Sequence, residues 1–121
     1  MDSIQDFQAA IERSAVAWGE AIKIGNHREA NKLNNKVTRI VKAFKENKVI
    51  GKSVLIPLLG NPNPSVRLLA AIHALDLEIQ TQDAESVLND IANDPSIRLV
   101  RLMAQINLEK WNQKKTQTPR E

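Results

Sequence analysis

The sequence predicts an all-α protein of about six helices arranged as three hairpins, and three observations predict it. Apolar residues recur at steps of three and four along most of the chain. No segment alternates with the period of two that a sheet requires. One stretch of the second half returns at an offset of 31 residues, which is an internal repeat. A length of 121 residues implies one domain. Such a chain buries roughly two thirds of the surface its unfolded form exposes, enough for a core without metal or disulfide staples.

The first helix is expected over about 4–24. Ile4, Phe7, Ile11, Ala15, Trp18 and Ile22 stack on one face, Ser3 is an N-cap with Asp6 at the third helical position, and Gly25 follows the end. Asn26 offers the next N-cap with Glu29 three residues on, and Ala30, Leu33, Val37, Ile40, Val41 and Phe44 carry a second stripe to about Asn47. Because only Gly25 and Asn26 separate two helices of this length, they fold back as an antiparallel hairpin.

The repeat organises the second half. Pro64-Ser65-Val66-Arg67-Leu68 aligns with Pro95-Ser96-Ile97-Arg98-Leu99, and Leu75 aligns with Ile106. In each copy Asn63 or Asp94 caps a helix whose first residue is proline, where a missing N–H costs nothing. A shorter helix precedes each one, over Ser53–Leu59 in the first copy and about Asp83–Ala92 in the second. Pro57 should kink the first of these or hold it to a turn or two. The polar residues 112–121 are expected to be a disordered tail.

Composition excludes several function classes. The absence of cysteine removes disulfide frameworks, thiolate zinc sites and cysteine nucleophiles. With no tyrosine and only Phe7, Phe44, Trp18 and Trp111 as aromatics, a base-stacking platform is not expected. Phe7, Trp18 and Phe44 fall on the apolar stripes as core, and Trp111 closes the core end. There is no glycine-rich phosphate loop, and Glu12 and Glu20 are isolated surface carboxylates rather than an acid/base pair. No enzyme, cofactor or metal is expected. The start lacks a basic region followed by an apolar run, and the longest apolar stretch, Val54 to Leu59, is too short to span a bilayer. The expectation is a cytoplasmic protein with no membrane partner.

Charge is where the sequence is most informative. Nine basic residues lie between Lys23 and Lys52 against only Glu29 and Glu46, a net +7, although the whole chain carries only +3. From Leu68 to Ile97 there is no Lys or Arg, while Asp76, Glu78, Asp83, Glu85, Asp90 and Asp94 supply six negative charges. Arg28, Lys32, Lys36, Arg39 and Lys42 form a stripe opposite the apolar face of the second helix. That stripe is either the solvated side of an amphipathic helix or a surface that tracks phosphates. The acidic stretch is either solvated surface or a contact for a basic protein partner. His27 reads as an exposed residue of a first helical turn. His73 reads first as a structural histidine, satisfied or half-exposed, and otherwise as a residue on the open face of the fourth helix, and it is grouped with the six acidic residues as a candidate partner contact.

The segment Asn63-Pro64-Ser65-Val66-Arg67-Leu68-Leu69-Ala70-Ala71-Ile72-His73-Ala74-Leu75, with its echo at Asp94–Leu99, resembles the second-helix signature of HEAT repeats. Small residues such as Ala70, Ala71 and Ala74 let that helix approach its neighbours, and the arginine can bond to the turn of the adjacent repeat. The second copy departs, with Arg101 and Gln105 in place of Ala70 and Ala74, as suits a terminal repeat whose outer face meets water. The longer pattern adds Ala30-Asn31-Lys32-Leu33 and Leu55-Ile56-Pro57-Leu58-Leu59 before the Asn61–Arg67 turn. It resembles a small bacterial HEAT-like, armadillo-type family whose members include immunity proteins of contact-dependent or Rhs-type toxin systems.

The resemblance covers roughly residues 3–111. It implies a right-handed α–α superhelix forming one domain over 1–111, with a hairpin at 3–47 and repeats at 52–77 and 82–111. It also implies an immunity protein that neutralises a cognate toxin domain, such as a nuclease, by stoichiometric occlusion of its active site or substrate channel. No catalytic residue carries over. Two other functions fit the same residues: a HEAT-like protein-interaction adaptor, and a nucleic-acid-backbone-binding module using the stripe on the second helix.

Overall fold

Helix boundaries follow the capping groups that the sequence offers. In the computed structural model, which describes residues 3–117, Ser3 and Asp6 form a reciprocal capping box at the start of α1 (Ile4–Lys23). Gly25 ends α1 with φ +76°, in a Schellman turn closed by the Asn26 N–H on the Ala21 carbonyl and the Gly25 N–H on the Ile22 carbonyl. The Asn26 side chain then accepts the Glu29 N–H and starts α2 (His27–Lys42). A 3₁₀ turn, Ala43–Glu46, continues α2 and buries Phe44, against which Phe7 packs edge-to-face at 5.5 Å.

The third helix is longer than its periodicity predicts. Asn47 caps α3 (Lys48–Leu58), which starts five residues before Ser53. Pro57 sits in its last turn, where it removes the hydrogen bond that the Ser53 carbonyl would accept. The Gln8 side-chain amide, from α1, donates to that carbonyl at 3.0 Å. The helix therefore keeps its length because a neighbour satisfies the group that proline orphans.

In the first copy of the repeat, the Asn63 carboxamide oxygen accepts the N–H groups of Ser65 and Val66, and Pro64 opens α4 (Pro64–Asp76). After α5 (Thr81–Ala92), the second copy behaves differently. Asp94 accepts the Ser96 N–H and, at 2.6 Å, the Ser96 hydroxyl, so the capping group is spent on a local turn and α6 starts only at Arg98, running to Gln117. The expected helix start at Pro95 is corrected accordingly. Residues 112–117, expected as a disordered tail, are the last turns of α6, and the rest of that tail lies outside the described residues. Trp111 is half-buried beneath the Lys114 and Lys115 ammonium groups, each 5.9 Å from the ring centre.

Consecutive helices pack on one another: α1 on α2, α3 on α4, and α5 on both α4 and α6. The fourth helix is the hub, packed by α1, α3, α5 and α6. Nine of its thirteen residues are buried, among them Ala70, Ala71 and Ala74, whose short side chains admit neighbours on several sides. At the crossing of α1 and α4, a Cβ on Gly19 would collide with the Ser65 hydroxyl, so glycine is required there for backbone approach. Arg67 donates to the Asn61 and Pro62 carbonyls at 2.8 and 3.1 Å, fastening the turn before its own helix rather than that of the adjacent repeat. Asn61 in turn donates to Glu12 of α1 at 2.9 Å.

The outer face of α6 is not the polar cap expected of a terminal repeat. Gln105 is exposed and Arg101 half-buried, but Leu99, Leu102 and Ile106 also lie about half exposed along one stripe.

The bond from Gln8 to the Ser53 carbonyl generates a test. Gln8→Ala is expected to lower stability by about 1 kcal/mol, a typical net worth for one such hydrogen bond. In a Pro57→Ala background, where residue 57 supplies its own N–H, the same substitution should cost almost nothing. A urea-denaturation double-mutant cycle measures the difference.

Candidate functional site

Two features of the folded chain gather the residues that the sequence singled out: an acidic edge along α4 and α5, and a groove between α2 and α4.

The edge begins where α4 ends. A second Schellman turn closes this helix, with the Ile79 N–H on the Ala74 carbonyl at 2.8 Å and the Glu78 N–H on the Leu75 carbonyl at 3.1 Å. The position that Gly25 fills in the first such turn is here Glu78, at φ +57°, and Gln80 two residues later is also left-handed, at φ +45°. Each costs roughly 1–2 kcal/mol relative to ordinary backbone. The turn is held by buried Leu77 and Ile79 on either side of Glu78, and by the Gln80 carboxamide donating to Asp83 at 2.9 Å.

Exposed Asp76, Glu78, Asp83 and Asp90 line this edge. Asp83 and Asp90, seven residues apart, share one face of α5. Three of the six predicted acidic residues have other employment: besides Asp83, which accepts from Gln80, they are Glu85 and Asp94. Glu85 pairs with Lys115 of α6 at 2.9 Å, and Asp94 holds the Ser96 turn. The Ser96 hydroxyl bonded to Asp94, helped by its N–H and by the nearby Arg67 charge, keeps the Asp94 carboxyl below the usual carboxylate range. Among the described residues Asp76, Glu78 and Asp90 form no salt bridge.

The groove has a volume of about 740 Å³. Its α2 side carries Asn31, Asn34 and Thr38, then Lys42 and, from the 3₁₀ turn, Lys45. Its α4 side carries Leu69, Ile72, His73 and Asp76, with Ile22 of α1 and Met103 of α6 among the other lining groups. The predicted basic stripe of Arg28, Lys32, Lys36, Arg39 and Lys42 is exposed throughout, opposite buried Ala30, Val37 and Val41. Lys42 is the member at which stripe and groove meet.

His73 corrects the expectation of an open-face histidine. It is only 8% exposed, and its Nε2 is buried with no hydrogen-bond partner among the described residues. The one-turn offset from Leu69 places it on the inner side of α4, where α6 also packs. Burial pushes its pKa below the ordinary 6.5, and the Asp76 carboxylate pulls back more weakly. The ring is therefore neutral at pH 7.

The sequence reading missed the groove, since its walls come from four helices and no local motif marks it. A second groove, of about 610 Å³, lies between α1 and the starts of α4 and α6, bordered by Val16, Gly19, Ser65, Ser96 and Leu99.

Two outcomes follow from these geometries. Because the His73 pKa is depressed in the folded state, protons bind the unfolded chain more readily. Its contribution to stability is complete above about pH 6.5 and is lost as pH falls through the folded pKa. Denaturation midpoints at pH 7.5 and pH 5 should differ more for the native chain than for His73→Gln. Separately, Glu78→Gly should raise stability by about 0.5–1 kcal/mol. That is the left-handed penalty less the extra freedom glycine gives the unfolded chain. A thermal-unfolding comparison reads the sign.

Comparison with known proteins adds no relative to this geometry: no family model, no curated protein and no solved structure matches the chain.

Proposed function

We propose that this chain is a protein-binding module that captures a basic partner along the α4–α5 edge. In the reading that the HEAT-like resemblance implies, the partner is a bacterial toxin domain, neutralised as an immunity protein does it, by covering the active site or substrate channel one-to-one. The observation that carries the proposal is the pair of exposed carboxylates Asp76 and Glu78 at a turn that holds Glu78 in a left-handed conformation, with exposed Asp90 farther along α5, none of the three in a salt bridge among the described residues. Like charges on neighbouring helix ends, one of them on left-handed backbone, reduce the stability of the free protein. A partner of opposite field relieves that repulsion and associates faster than an uncharged one. A rigid helical support adds little ordering cost on binding.

The test is calorimetric titration against the toxin domain encoded by the neighbouring reading frame, with toxin activity assayed in the same mixtures. Tight one-to-one binding with loss of toxin activity is expected, weakened at least about tenfold by Glu78→Lys with Asp90→Lys and weakened by added salt. Lys32→Glu with Lys36→Glu should leave it unchanged. No binding, or binding that leaves the toxin active, overturns the immunity reading. The nucleic-acid reading takes its place if duplex DNA binds the native chain and the α2 substitutions abolish that binding.

A further inference from the structure

We infer that the groove between α2 and α4 is a second docking site, and that its occupant is a short, extended acidic segment of a protein. The inference is independent of the acidic edge and of the toxin reading. Its volume of about 740 Å³ lies within the range of roughly 300–1,000 Å³ typical of pockets that enclose a compact ligand.

Charge sets the sign of the occupant. Lys42 and Lys45 stand on one wall against Asp76 on the other, so the lining is net positive. The exposed Arg39, one turn before Lys42, extends the same field outward on α2. A carboxylate entering from that side meets the two ammonium groups before it meets Asp76.

Hydrogen-bonding capacity sets the conformation. Asn31, Asn34 and Thr38 line the α2 wall over seven positions, about 10 Å at the rise of a helix. Three residues of extended chain span the same length. A docked helix has already satisfied its own backbone groups, whereas an extended segment offers unpaired N–H and C=O groups to these amides and the hydroxyl. Half-buried Ile72 and Met103 supply the apolar surface for alternate side chains of the segment. Nucleic acid fits less well, because the two aromatic rings lining the groove, Trp18 and His73, are 3% and 8% exposed and give no face for a base to stack on.

The experiment is selection of a displayed library of random dodecapeptides on the full chain, followed by NMR titration of the labelled protein with the most enriched peptide. Enriched sequences should mix Asp or Glu with aliphatic residues. Their titration should shift Thr38, Lys42, Lys45, Ile72 and Met103 while leaving Asp83 and Asp90 in place. Lys42→Glu with Lys45→Glu should weaken binding at least about tenfold, and Lys32→Glu with Lys36→Glu by less than about threefold. The folding of each variant is read from the same spectra. The inference is overturned if no peptide is enriched, if the enriched peptides are basic, if the shifts fall outside the groove, or if an oligo-dT competitor displaces the peptide.

Discussion

The constraint on which the rest of this structure depends is the burial of α4. Four other helices lean on it, and a helix can be enclosed that fully only if its side chains are apolar or small around most of its circumference. Leu68, Leu69, Ala70, Ala71, Ala74 and Leu75 meet that requirement. Two polar positions of the helix, Ser65 and His73, are enclosed by other means. Gly19 has no side chain, so the α1 backbone can come down on Ser65. His73 is enclosed at the cost of an unpartnered ring nitrogen and a suppressed charge.

Much of this was readable from residue order, for reasons that particular elements make plain. The starts of α1, α2 and α4 depend on a side chain two or three residues from the groups it caps, so Ser3, Asn26 and Asn63 announce them. The start of α6 falls later than its cap signal implies because Asp94 has a competitor: Ser96 offers a hydroxyl as well as an N–H, and the local turn wins. Yet Ser65 holds the same place in the first copy, where it is buried at the Gly19 crossing. Two similar short sequences, Asn63–Leu68 and Asp94–Leu99, thus start a helix promptly where tertiary packing holds the serine and late where it does not. Likewise α3 outlasts its proline only because Gln8, 45 positions away, reaches Ser53, a dependence that no local pattern records.

The candidate surfaces divide along the same line. The acidic edge was legible because it is a run of composition: a helix end, a turn and the next helix with no cation among them. Its strain was not, since nothing local says that Glu78 must stand where Gly25 stands in the earlier turn. The groove was invisible for the opposite reason. Its walls are assembled from residues as distant as Ile22 and Met103, and each taken alone is an ordinary member of a helix stripe.

Asp76 joins these two surfaces. It is the last residue of α4, so it belongs to the acidic edge, and it also lines the groove opposite Lys42 and Lys45. The net charge of +3 therefore describes no local region of the molecule. At the groove the α2 side presents Lys42 and Lys45 and the α4 side Asp76, so the boundary between the basic stripe and the acidic edge runs along it. A partner that meets both sides feels opposite fields within a short distance, which orients it before contact and disfavours any partner of uniform sign. The burial of His73 sharpens that boundary. An exposed histidine there could add positive charge on the acidic side, whereas an enclosed neutral ring leaves Asp76 as the only ionised group on the α4 wall of the groove.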